Sequence, residues 1–274
     1  MSKAAWACTL GAILMWAIFA TLVRHVGSAP PLYLTGVALC CGSLASIYHW
    51  RQWRVPAPTY AFGAGCLFIY HVCLVAAFRY APIAGANLVN YLWPMLIVIL
   101  AARRTEGGLR PIQLLGCAIA FAGCALAIAP TTWSYAPLHL AGYTLAAVAA
   151  LSWAAYSVGP RGLQADSSWA TGGFCLGAGV LALLGHALFE APYTPSIAEF
   201  GWIVAIGIGP LGMSFVLWNR AMRLGSASTI GSLSYLTPIL STLALAWAGA
   251  IPQDAWLRLG PALLLVIAGV RLTH

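Results

Sequence analysis

The chain has 274 residues, of which 62% are apolar and 7% charged, with a net charge of +8. A soluble domain carries about 25% charged residues, so this composition excludes a soluble enzyme or nucleic-acid-binding domain and describes an integral membrane protein. No stretch between apolar runs is long enough to fold as a soluble domain.

In chain order the apolar runs are 5–23, 31–49, 59–78, 82–102, 112–129, 138–159, 169–189, 199–219, 226–249 and 255–272. Each has about the 20 residues that ~30 Å of hydrocarbon requires. The first is long for a signal peptide, lacks a small-x-small cleavage site and carries Trp16, so a retained helix is expected. The third holds Tyr70 and His71, and the fourth holds Asn87, Asn90, Tyr91, Trp93 and Pro94. The fifth has a stripe of small residues, Gly116, Ala120, Gly123 and Ala127, suited to close helix contact. Trp153 and Tyr156 lie in the sixth, and Gly209 and Pro210 lie in the GIGPLG of the eighth. The ninth holds Ser232, Ser234, Tyr235, Thr237 and Pro238.

The runs fall into two copies of one unit. Residues 63–96 align without gaps on 207–240, with ten of 34 positions identical, among them Gly65/Gly209, Arg79/Arg223, Tyr91/Tyr235 and Pro94/Pro238. Upstream, LMWAIF (Leu14 to Phe19) echoes LSWAAY (Leu151 to Tyr156). Five spans per copy force the copies to face opposite ways, the usual build of alternating-access transporters. The expected units are 1–130 and 137–274, joined by a short external connection over 131–136. Proline frees the carbonyl four residues back, an expensive state in hydrocarbon. Pro94, Pro238, Gly209 and Pro210 are therefore expected to interrupt helices beside a cavity and to serve as gating points.

Ten Lys/Arg side chains lie at the N-terminus or in loops on its side: Lys3, Arg51, Arg54, Arg103, Arg104, Arg110, Arg161, Arg220, Arg223 and Arg271. Three, Arg24, Arg79 and Arg258, lie opposite. This positive-inside bias predicts cytoplasmic termini. All eight cysteines fall within spans and read as small packing residues.

No Asp or Glu lies inside a span, Glu199 standing at the outer edge of the eighth, which argues against exchangers and pumps that need a buried carboxylate. No Lys or Arg sits at mid-membrane to hold a phosphorylated substrate. His71 is the one deep histidine, without HExxH or GxSxG nearby, so no catalytic residue, metal ligand or cofactor is expected. Two readings stay open for Trp16, Trp93, Trp153 and His71. They pack helices, or they line a central cavity where ring faces hold an ammonium group. The second reading favours a zwitterion, with amides and hydroxyls such as Asn87 and Tyr91 for its carboxylate.

LxWAxΦ in the first helix of each half and YLxPxL in the fourth resemble the drug/metabolite transporter superfamily, in its EamA-type ten-helix branch. Within it, Trp16, Tyr70-His71, Asn90 to Pro94 and Trp153 are similar to the YddG group of amino-acid exporters. The resemblance implies an all-α integral membrane protein, with ten transmembrane helices in two inverted five-helix repeats around a central cavity. It also implies export of neutral amino acids with aromatic or bulky apolar side chains from a bacterial cytoplasm, hence an inner-membrane location. Candidate substrate contacts are Trp16, Tyr70, His71, Asn87, Asn90, Tyr91, Trp93, Trp153, Tyr156, Ser234 and Tyr235. With no buried acid, uniport is the expected coupling. The alternatives are an efflux carrier for other small metabolites or aromatic and quaternary cations, and a membrane receptor or scaffold. Expected partners are the amino-acid substrate and the bilayer, with no nucleic acid. The oligomeric state is open and a monomer is compatible.

Overall fold

The computed structural model describes residues 1–26, 29–103, 108–128, 136–160, 162–249 and 255–273. The expected connection over 131–136 lies outside this set except for Ala136, and so do Arg104 and Arg161.

The first three spans are α1 (Lys3–Val23), α2 (Pro31–Ser43) and α3 (Ala57–Tyr80). Ser2 starts α1 by accepting a hydrogen bond from the Ala5 amide at 3.2 Å. After α2 the chain runs on in tight 3₁₀ turns over Leu44–Trp53, kinked at Ser46 and His49. The fourth span is split into α4 (Ile83–Asn90) and α5 (Trp93–Ala102). The fifth to seventh are α6 (Pro111–Ile128), α7 (Pro137–Val158) and α8 (Thr171–Phe189). The eighth is α9 (Ile197–Ile208), a wide π turn over Gly209–Met213 and α10 (Ser214–Leu224). The ninth is α11 (Ala227–Leu233) with α12 (Leu236–Trp247), and the tenth is α13 (Ala255–Thr273). By length and composition, nine of these spans, all but α13, qualify to cross a membrane among the described residues.

The interruptions follow the prolines. Pro94 and Pro238 sit in the first turns of α5 and α12, where a missing N–H is tolerated. The chain therefore turns at Tyr91-Leu92 and at Ser234-Tyr235, one residue apart in the register of the repeat, in which Tyr91 matches Tyr235 and Leu92 matches Leu236. Pro210 produces the π turn, and Ser214 Oγ returns a hydrogen bond to the Pro210 carbonyl. The equivalent third span has Cys66 in place of proline and stays continuous.

Successive spans alternate direction, so the N-terminus, Trp53, Ala102, Val158, Leu224 and Thr273 share one face, here the N-terminal face. The two halves interlock rather than abut. The main partners of α1 are α10 and α12, those of α2 are α8 and α9, that of α3 is α7, and that of α6 is α13. Small residues make these approaches close. A Cβ added at Gly116 would stand 2.6 Å from the Gly269 carbonyl of α13, so the stripe on α6 faces α13. A Cβ at Gly42 of α2 would stand 2.9 Å from the carbonyls of Gly207 and Leu211.

On the opposite face Glu190 ties α8 to α2. Its carboxylate accepts from the amides of Leu32 (3.0 Å) and Tyr33 (3.2 Å) and lies 3.0 Å from His186 Nδ1. The carboxylate thus neutralises unpaired donors and the positive end of the α2 dipole.

Candidate substrate site

The centre of the molecule is aromatic. Trp16 of α1 meets Trp93 at 6.1 Å, Trp153 at 5.6 Å and Trp218 at 5.2 Å between ring centroids. Trp153 also lies 5.2 Å from Tyr70, 5.5 Å from Tyr156 and 5.0 Å from Phe215. The interruption after Asn90 helps build this cluster, because Trp93 is the first residue of α5 rather than part of one straight helix. The repeat contributes Trp16 and Trp153 from equivalent helices of opposite halves.

Among the described residues, three buried polar atoms around Tyr70 have no hydrogen-bond partner: His71 Nε2, Asn90 Oδ1 and Trp153 Nε1. The Tyr70 hydroxyl lies beside the Asn90 side chain, and its ring lies 4.9 Å from that of His71. His71 Nδ1 is 2.7 Å from the Leu67 carbonyl. A carbonyl only accepts, so Nδ1 carries a proton, and in the neutral ring Nε2 is a bare acceptor. Leaving a buried polar atom unpaired costs about 1–3 kcal/mol. One donor and two acceptors kept at that cost beside a ring cluster are complementary to a small polar ligand with an aromatic body.

A cavity of about 720 Å³ occupies the N-terminal face between the ends of α3, α5, α7, α10 and α11. Its wall includes Phe62, Tyr156, Thr171, Asn219 and Arg223. Tyr156 links the two regions, lining the cavity while its ring touches Trp153. Asn219 Nδ2 donates to Tyr156 Oη at 2.7 Å and to Thr171 Oγ1 at 2.9 Å, making a polar shelf beneath the rings.

The structure thus gathers Trp16, Tyr70, His71, Asn90, Trp93, Trp153 and Tyr156 into one region. Tyr91 and Tyr235 belong to a neighbouring apolar cluster with Phe121, Cys124 and Val266, and Tyr91 stands on its border, within electrostatic reach of both Cys124 and Tyr70. Ser234 is fully buried, its hydroxyl turned back on the Gly231 carbonyl within the ninth-span break. Asn87 lies one turn before Asn90, and its carbonyl accepts the Tyr91 amide at 3.0 Å. Three participants escape a reading of the sequence: Trp218, Phe215 and Asn219. Trp218 is wholly buried and donates from Nε1 to Ser157 Oγ at 2.9 Å. Its signal is weak because the eighth apolar run ends at 219, which would leave Trp218 at an interface, whereas the helix continues to Leu224.

The EamA-like transporter family matches this chain twice, over residues 3–129 and 140–272. A curated protein of Ancylobacter novellus described as "Aromatic amino acid exporter YddG" is 36% identical over 268 residues, covering 94% of this chain and 92% of its own. A solved crystal structure superposes with a TM-score of 0.90 at 35% identity, over 99% of this chain and 96% of that one. Two matches, one to each five-span half, and a fold shared over nearly the whole length make this chain a member of the EamA-like transporter family.

Proposed function

We propose that the protein exports neutral amino acids with aromatic or bulky apolar side chains from a bacterial cytoplasm by alternating access, as a uniporter of the inner membrane. The observation that carries the reading is the ring cluster of Trp16, Trp93 and Trp153 with three unpaired polar atoms at its edge. Ring faces stack on an aromatic side chain or hold its ammonium group, an attraction of up to ~2 kcal/mol when desolvated. Trp153 Nε1 donates to the carboxylate, while Asn90 Oδ1 and His71 Nε2 accept from the ammonium. The relative described as an aromatic amino-acid exporter supports the same substrate class.

In this reading the N-terminal face is cytoplasmic, as the ten-to-three Lys/Arg split predicts. The cavity on that face makes the conformation inward-facing. The interruptions at Tyr91-Leu92 and Ser234-Tyr235 beside the matched prolines, with the π turn at Pro210, are the flexible points about which the halves exchange access. Coupling to an ion is not required, since an accumulated amino acid runs down its own gradient and no described span carries an acid beyond its first turn. The test is flux of labelled amino acids into liposomes holding the purified protein. Saturable uptake of phenylalanine supports the reading, and uptake restricted to organic cations contradicts it.

A further inference from the structure

We infer that the cavity on the N-terminal face is a second binding site, which captures the zwitterionic head of the substrate before it reaches the tryptophan cluster. The inference rests on the export reading.

Four groups carry it. Arg223 and Asp166 both line the cavity wall. Arg223 Nη1 donates to the Ala165 carbonyl at 2.9 Å, which anchors the guanidinium on the residue before Asp166. Yet among the described residues the one ion pair is His186–Glu190, so Arg223 and Asp166 do not neutralise each other. Both charges remain available to a ligand. One helical turn before Arg223, on the same face of α10, stands Asn219. Its Nδ2 is committed to Tyr156, Thr171 and the Phe215 carbonyl, at 2.7, 2.9 and 2.9 Å. Among the described residues, that leaves Oδ1 of the same cavity-lining residue as an acceptor without a protein donor. A guanidinium suits a carboxylate, and a carboxylate with an amide oxygen suits an ammonium. Tyr156, shared by this cavity and the ring cluster, is the step from one site to the other.

The repeat provides an internal control. If the polar groups served general helix packing, the other half would be expected to carry them too. Arg79 matches Arg223, but Val75 stands at the position of Asn219 and Phe19 at that of Tyr156. The shelf is therefore built on one face only, as expected of a site that loads substrate from that side.

The experiment measures equilibrium binding to purified protein with three probes: phenylalanine, 3-phenylpropionate, which lacks the ammonium, and phenylethylamine, which lacks the carboxylate. Because both charges face water, each contributes little, and removing one should weaken its probes roughly two- to fivefold. Arg223→Gln should weaken phenylalanine and 3-phenylpropionate but spare phenylethylamine, while Arg223→Lys retains most of the affinity. Asp166→Asn should weaken phenylalanine and phenylethylamine but spare 3-phenylpropionate. In a Trp153→Ala background, residual phenylalanine binding should keep its sensitivity to Arg223→Gln, which separates this site from the ring cluster. Wild-type affinities for all three probes in both charge variants, in a protein that still transports phenylalanine, would overturn the capture site alone. A wild-type protein that neither binds nor moves phenylalanine would overturn both this inference and the export reading.

Discussion

Trp16 and Trp153 occupy equivalent positions in the two halves and meet edge to face, 5.6 Å between ring centroids at an interplanar angle of 78°. The duplicated LxWAxΦ motif therefore brings its two tryptophans together at the centre of the molecule. Around that contact the halves diverge, His71 against Phe215 and Trp93 against Thr237, so a symmetric scaffold carries an asymmetric site.

The unpaired indole N–H of Trp153 separates packing from binding. Trp153→Phe keeps an aromatic ring and removes a buried donor whose isolation costs about 1–3 kcal/mol. Thermal stability in detergent should hold or rise, while phenylalanine affinity falls. Trp153→Ala also removes the ring, losing about 1–2 kcal/mol of stacking or cation–π attraction, roughly 5- to 30-fold in affinity. Unchanged affinity in both variants would make Trp153 a packing residue.

Pro94→Ala and Pro238→Ala each supply a backbone donor at a helix interruption and favour continuity across Tyr91-Leu92 or Ser234-Tyr235. Transport should slow several-fold while equilibrium binding of phenylalanine stays within about twofold of wild type, since the flexible points act on the exchange of access. Paired measurements of flux and binding check this, and wild-type flux in both variants would remove these prolines from the gating account.

Gly116→Val tests the packing of α6 on α13. The added Cβ would stand 2.6 Å from the Gly269 carbonyl, so the helices must part. Overpacking of this kind costs typically about 1–3 kcal/mol. The variant should melt lower than wild type, and Gly65→Ala, where a Cβ meets nothing within 4 Å, should not.

His71 is the histidine of the ring cluster, the side-chain type whose unperturbed titration falls in the physiological range. In the uniport account a pH gradient across liposomes drives no accumulation, and His71→Gln lowers affinity without changing that. Gradient-driven accumulation abolished in His71→Gln would make His71 the coupling site.

Most of the architecture was readable because hydrocarbon imposes a simple code. Apolar runs match the spans to within a few residues, with the eighth extending five residues beyond its run, and the prolines at 94, 210 and 238 mark the interruptions. The repeat identified Trp16 and Trp153 as equivalent, although their contact is a product of how the halves interlock. Tyr91 and Tyr235 show the limit of the same signal. They repeat because each flanks a proline interruption, and both join the apolar cluster of Phe121 and Val266, with Tyr91 at its border near Tyr70. Asn219 was invisible for the opposite reason, since its repeat partner is Val75 and its importance comes from Tyr156 and Thr171, distant in sequence.

The central claim is that this pair of interlocked halves carries aromatic amino acids down their gradient. Its most direct measurement is counterflow: liposomes holding the purified protein are loaded with unlabelled phenylalanine, then given a trace of labelled phenylalanine outside, with pH equal on both sides. The account predicts transient accumulation of label, competed by tryptophan and tyrosine and absent from protein-free liposomes. No accumulation above protein-free liposomes, in a preparation that remains folded, would contradict it.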